Sequence, residues 1–345
     1  MTQNPATAQV ALVTGCSGFI GYHLCARLLG AGWQVVGVDS LSDYYDVALK
    51  QRRQAMLTAH DGFQVVNAAI ETSNLLLDLF KAHRPIAVFH LAAQAGVRHS
   101  IDAPRSYLTS NIDGTFELLE AARAYPPQHI LLASTSSVYG ANTAMPYRET
   151  DAADHQVSFY AASKKAVEMM AHSYAHLYDL PVTAFRFFTV YGPWGRPDMA
   201  PMKFAKAILA GAPIDVYNHG DMQRDFTYID DLVEAVIRLI PAVPQRLAAG
   251  AVQVAGDSLS PVAPWRVVNI GNSHPVPLLG FIAAMEQALG AKAQRNLLPM
   301  QAGDVAATWA DTRLLQSLTG YAPSTVIGAG LAAFAEWYRA YRPNT

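Results

Sequence analysis

Cysteine is nearly absent from this chain. The two that occur, Cys16 and Cys25, fall in one predicted loop–helix segment, so a disulfide framework is not expected and a reducing compartment, the cytoplasm, fits better. Charge of one sign is also missing: 25 Lys and Arg stand against 27 Asp and Glu, a net of −2, which offers no basic field to nucleic acid. "PQRL" and "YRAYR" are ordinary charged surface, too sparse to track a phosphate backbone. No window holds ~18 uninterrupted apolar residues, and the opening "MTQNPATAQVALVTG" has no basic segment ahead of an apolar one, so no membrane partner and no secretion are expected. No metal is expected either. His172 and His176 have the i, i+4 spacing that can bind zinc, but no Glu follows His172, and a solvated or dimer-facing helix is the better reading.

What is present is apolar and regular. With 51% hydrophobic residues in 345, the chain can bury a large core in one domain or two closely joined ones. The runs "VALVTG", "WQVVGVDS", "FQVVNA", "IAVFHLAA", "HILLASTS" and "PVTAFRFF" read as strands, and segments such as "FIGYHLCARLLGAG" between them read as helices. That alternation predicts an α/β fold around a doubly wound parallel sheet, with ligands at the carboxyl ends of its strands. The second half is less regular: "RPDMAPMKFAKAILAG" begins a helix, "PLLGFIAAMEQALG" and "STVIGAGLAAFAEWYRAY" are amphipathic helices, and the Pro, Ala and Gly rich stretch of residues 238–267 reads as a surface loop.

Two motifs carry chemistry. "VTGCSGFIG" places Gly15, Gly18 and Gly21 between a strand and a helix, where the backbone can approach a pyrophosphate that the helix N-terminus favours. Asp39 ends the next strand, where a carboxylate would accept hydrogen bonds from an adenosine ribose; no Arg follows to neutralise a 2′-phosphate, so NAD is favoured over NADP. Further on, "SFYAASKKA" sets Tyr160 and Lys164 one helical turn apart on one face. A neighbouring ammonium favours a phenolate, and lowering a tyrosine pKa by about three units needs roughly 4 kcal/mol of differential interaction.

These motifs, with "HLAAQAGVR", "STSSVYG", "RFFTVYGPWGRPD" and "QRDFTYIDD" in this order, resemble the extended short-chain dehydrogenase/reductase family. The resemblance runs from residue 9 to about 340, includes "DYYDVALK" and "LPMQAGDV", and is closest to the members that epimerise UDP-glucuronate at C4. It implies a Rossmann-type fold with a smaller mixed α/β C-terminal substrate domain: residues 1–188 plus about 226–272 for NAD, and about 189–225 plus 273–345 for the sugar nucleotide. It implies that Thr135, Tyr160 and Lys164 are catalytic, with Thr135 on the reacting C4 oxygen, Tyr160 as proton acceptor and donor, and Lys164 on the nicotinamide ribose. Gly15, Gly18, Phe19, Ile20, Gly21, Asp39, Leu91, Ala92, Ala93 and Asn111 fall on the cofactor side with Tyr160 and Lys164; for Asn111, helix packing is an almost equal reading. Arg98, Thr135, Ser136, Ser137, Thr189, Arg196, Arg224 and Asp304 fall on the UDP-sugar side, Arg224 at a phosphate and Asp304 at the uridine ribose. A homodimer through a four-helix bundle of helices near 104–124 and 160–178 is also implied.

The chain departs from its relatives at Ala69, where they carry an aspartate that reaches the adenine amino group, and at Ser40 and Ser42, where they carry asparagines. The departures that decide the reaction are elsewhere. Relatives that dehydrate the sugar carry an Asp-Glu pair in the segment matching Ser136 and Ser137, and those that decarboxylate it carry a Glu at Ser137. With serine at both positions, the simplest fate of a 4-keto sugar is return of the hydride from the opposite face, which is epimerisation. Arg196, able to bind a C6 carboxylate in bidentate fashion, points to a uronate. A neutral UDP-sugar is the nearest alternative, ahead of decarboxylation or dehydration.

Overall fold

The computed structural model describes residues 9–341 apart from 249, 252 and 302–304. The six apolar runs form the parallel strands β1 (Val10–Thr14), β2 (Gln34–Asp39), β3 (Phe63–Asn67), β4 (Ala87–His90), β5 (His129–Ala133) and β6 (Val182–Phe187). After β7 (Thr189–Tyr191), β8 (Pro213–Val216) and β9 (Gln223–Tyr228), a strand that returns to this sheet, β10 (Trp265–Ile270), completes the order β10-β6-β5-β4-β1-β2-β3. Except in the edge strand β3, the central residues of these strands are buried because both faces are covered, which is why they read as continuous apolar runs. One face packs on helices Phe19–Gly30 and Ile229–Leu239, the other on Leu75–His83, Gly114–Ala124 and Phe159–Tyr178.

Strand order reverses at β1, which pairs with β2 on one side and β4 on the other, Thr14 standing opposite both Val38 and His90. A crevice opens at the carboxyl ends of such strands. Over it lies a second packed unit. Its mixed sheet has β9 paired with β7, with β11 (Pro275–Pro277) and with β13 (Ala307–Thr308), while β8 pairs with β12 (Gln294–Leu297). Helices Ala200–Leu209, Leu278–Leu289 and Ile327–Tyr341 share its core. Asp225, fully buried in β9, accepts from the backbone N–H groups of Asn272, Ser273 and Ala310, fastening β9 to the chain leaving β10.

The stretch read as a surface loop has neither helix nor strand among its described residues between Leu239 and Trp265. The paired histidines hold this loop: His172 Nε2 lies 2.9 Å from Ser260 Oγ, and His176, itself exposed, has its Nδ1 2.8 Å from the Val262 carbonyl.

Candidate active site

A cavity of about 950 Å³ runs from the glycine loop across the ends of β1, β4 and β5 to the second unit. At its cofactor end Gly15 has φ +74°, and a Cβ there would lie 2.8 Å from the Ala92 nitrogen. A Cβ on Gly21 would lie 2.0 Å from the Gly15 carbonyl oxygen, so helix Phe19–Gly30 can approach the loop only with glycine there. No acidic residue occupies the first turn of that helix, which leaves its N-terminus to an anion. Asp39 accepts from the Ser17 N–H at 2.9 Å and the Leu41 N–H at 2.8 Å, which aims its carboxylate along the cavity wall. This loop, this helix end and this carboxylate suit a dinucleotide with a free ribose 2′-hydroxyl. Ala68, Ile70 and Glu71 also line this end; Ala69 does not.

Arg53, fully buried, was not singled out in the sequence. It donates to the Ser17 carbonyl at 3.2 Å, to Tyr45 Oη at 3.0 Å, and to the Trp194 and Gly195 carbonyls at 2.5 and 3.2 Å. One guanidinium therefore ties the glycine loop to the segment that carries Arg196.

His90 ends β4 inside a chain of hydrogen bonds whose directions can be worked out. Thr115 donates to the Asn111 carbonyl at 2.6 Å, so its oxygen accepts from His90 Nε2 at 3.0 Å. His90 Nδ1 is then the acceptor for Thr14 Oγ1 at 2.9 Å, and Thr14 in turn accepts from the Ala92 N–H at 3.1 Å. The ring is neutral; burial and the Lys164 charge push its pKa down to about 3. This chain holds Leu91, Ala92 and Ala93 on the cavity wall. Asn111, expected at the cofactor, is buried away from the cavity surface: its amide bonds both backbone groups of Gln94 and Ser163 Oγ. Since Ser163 donates to the Tyr160 carbonyl, Asn111 joins the β4 loop to the Tyr160 helix.

Thr135 follows β5, and its hydroxyl donates to Ser137 Oγ at 3.2 Å while accepting from the Ser137 N–H at 3.2 Å. Tyr160 and Lys164 reach the same cavity from helix Phe159–Tyr178. Burial raises the Tyr160 pKa; a hydrogen bond with Thr135 and the Arg196 charge act to lower it. Burial takes Lys164 down to about 8, opposed by the Glu168 carboxylate one turn on. Glu168 accepts two hydrogen bonds from Arg186, at 2.9 and 2.8 Å, and one from Ser134 at 2.6 Å. Burial works against its charge, but Arg186 keeps its pKa below the ordinary carboxylate value. This buried pair anchors both the residue before Thr135 and the helix behind Lys164.

The cavity is also lined by Ser136, Ser137, Thr189, Arg98, Arg196 and Arg224. Arg98 lies over the Tyr217 ring at 5.1 Å, and Arg224 donates to the Gln223 and Ala306 carbonyls at 2.8 and 3.1 Å. Arg196 is held by Asp198, a residue not singled out in the sequence, through bonds of 3.0 and 2.6 Å, and Tyr44 donates to Asp198 at 3.2 Å. Asp304 lies outside the described residues. Among those described, no group of three or more His, Cys, Asp or Glu could hold a metal ion, and no helix is long and apolar enough to cross a membrane.

The model of the NAD dependent epimerase/dehydratase family matches residues 11–255. The chain belongs to that family. Among its members, a Rhizobium meliloti (strain 1021) protein named "Probable UDP-glucuronate 4-epimerase" is 51% identical over 327 residues, 95% of this chain and 96% of that protein. UDP-glucuronate 4-epimerase 4 of Arabidopsis thaliana is 45% identical over 335 residues, 96% of this chain and 75% of that protein. The Bacillus cereus UDP-glucuronic acid 4-epimerase, solved with UDP-glucuronic acid and NAD, superposes with a TM-score of 0.85 at 31% identity, covering 96% of this chain and all of that one.

Proposed function

We propose that this protein is an NAD-dependent isomerase that interconverts UDP-glucuronic acid and UDP-galacturonic acid at C4 through a 4-keto intermediate. One observation carries the reading: Thr135, Tyr160 and Lys164 share a cavity with Arg196, while the positions that would steer a 4-keto sugar elsewhere are Ser136 and Ser137. Relatives of that name along almost the whole chain support it.

The glycine loop and Asp39 would hold NAD, whose nicotinamide would supply reversible hydride chemistry at C4. The protein's own groups manage the proton and the sugar. Thr135 holds the C4 oxygen, and the Tyr160 phenolate takes the proton of the C4 hydroxyl. Lys164, taken by burial to about 8, stays largely charged at neutral pH, and the Arg196 charge with the Thr135 hydrogen bond acts to favour the phenolate. Glu168 supports the ammonium from behind. Ser136, Ser137 and Thr189 offer neutral hydroxyls to the uronate, and Arg196 offers its charge. After the keto sugar turns over in the cavity, Tyr160 returns the proton to the opposite alkoxide.

Two supporting readings accompany this one. The seven-stranded unit binds the cofactor and the unit around β9 binds the sugar nucleotide, with Asp304 at the uridine ribose. The protein is a cytoplasmic homodimer, joined through helices near 104–124 and 160–178, whose Leu108, Phe116, Met169 and Leu177 are exposed apolar side chains. Incubating the purified protein with UDP-glucuronate and NAD tests the main reading: chromatography is expected to show UDP-galacturonate growing to a constant ratio, and a pentose product or none would contradict it.

A further inference from the structure

The Arg196 guanidinium is engaged side-on. Its Nε donates to one oxygen of Asp198 at 3.0 Å and its Nη2 to the other at 2.6 Å, with both side chains mostly buried on the cavity wall. The C6 carboxylate of a uronate is the same chemical group as Asp198: planar, singly charged, with two acceptor oxygens. One guanidinium edge accommodates one such carboxylate in bidentate fashion. We propose that Asp198 is a specificity-setting positioning residue, a resident competitor that the sugar carboxylate displaces from Arg196. The inference rests on UDP-glucuronate being the substrate.

Two consequences follow from the geometry. A neutral hexose cannot displace Asp198, so it meets an arginine already neutralised and gains nothing from it. Both uronate epimers carry the same carboxylate, so the competition weakens the binding of both alike. Once displaced, Asp198 retains the hydrogen bond from Tyr44, which keeps it poised to recapture Arg196 as product leaves.

The test compares NAD-loaded wild type, Asp198→Asn and Asp198→Glu by titration calorimetry with UDP-glucuronate and with UDP-glucose. Asparagine keeps the shape and removes the charge, so UDP-glucuronate is expected to bind about 10-fold tighter, the scale of a charge-assisted hydrogen bond, with UDP-glucose changed by less than about 2-fold. Asp198→Glu restores a carboxylate and is expected to return discrimination toward the wild-type value. Unchanged or weaker UDP-glucuronate binding in Asp198→Asn overturns the proposal, as does equal weakening of both ligands, the mark of a merely structural role. Should the variants not fold, the Arg196 Nε–H signal in nitrogen-15 spectra of wild type decides: UDP-glucuronate is expected to move it and UDP-glucose to leave it, and equal responses overturn the competition. Wild type that does not convert UDP-glucuronate at all would refute the proposed substrate instead.

Discussion

Tyr160 and Lys164 stand one turn apart on helix Phe159–Tyr178, and both side chains reach one cavity beside Thr135. If Tyr160 moves the C4 proton, Tyr160→Phe is expected to fold and bind NAD normally while turnover falls by about 100-fold or more. Lys164→Ala is expected to be similarly severe. Near-normal turnover of the phenylalanine variant, with cofactor content checked by absorbance, would remove Tyr160 from the mechanism.

In the proposed reaction Arg196 governs what becomes of the keto sugar. A 4-ketouronic acid is a β-keto acid: when the C5–C6 bond aligns with the carbonyl π system, that bond breaks, its electron pair enters the enolate, carbon dioxide leaves and C5 takes up a proton. If Arg196 holds the intact carboxylate, it opposes this loss, and Ser137 brings no negative charge to push that carboxylate out of plane. Arg196→Ala is expected to bind UDP-glucuronate about 10- to 100-fold more weakly and to release some 4-keto-pentose together with reduced nicotinamide. Clean epimerisation with unaltered affinity would assign the carboxylate to another residue.

The glycine loop gives a prediction about stability and cofactor together. The Cβ of Gly21→Ala would meet the Gly15 carbonyl oxygen at 2.0 Å and Cys16 Cα at 2.9 Å, all backbone, so the loop must shift to admit it. Overpacking of this kind costs about 1–3 kcal/mol. A lower melting temperature and clearly weaker NAD binding are expected; calorimetry showing both unchanged would mean the loop is more yielding than its contacts indicate.

Buried histidines set the acid limb of stability. Burial takes His23 and His129 down to about 4 and His90 to about 3, so all three are neutral when folded at pH 5.5 and would be charged when unfolded. Their contribution is full above the ordinary value of about 6.5 and is lost as pH falls below it. Glu149 opposes them: burial raises it to about 7, so below that pH the folded state holds a proton that the unfolded chain lacks. Near pH 5.5 the balance is an uptake of about two protons on unfolding, a loss of roughly 3 kcal/mol per pH unit. The melting temperature should fall between pH 6.5 and 5; a flat or rising trend would show that these imidazoles are not held neutral.

The sequence revealed what depends on local pattern. Each of β1 to β6 is an apolar run, and Gly15, Asp39, Thr135, Tyr160 and Lys164 follow strands or share a helix face at fixed spacings. Strands such as β11 and β13 were not legible, being two or three residues long, too short to show a period. Arg53 was invisible for a different reason. Its partners Ser17 and Trp194 lie 36 and 141 positions away, and nothing local distinguishes a buried arginine from a solvated one. Asp198 lay in plain view in "GRPD", but its effect on Arg196 depends on a loop bending back on itself. The same holds for Asn111, whose two partners, Gln94 and Ser163, are brought together only by the packing of its helix and the Tyr160 helix against the β4 loop.

The central claim is that one hydride leaves C4 and the same hydride returns. UDP-glucuronate carrying deuterium at C4, incubated with the protein and NAD in ordinary water, measures this directly by mass spectrometry of the separated product. UDP-galacturonate that keeps the deuterium at C4 is the predicted result; product in which that deuterium has been replaced by solvent hydrogen would contradict it.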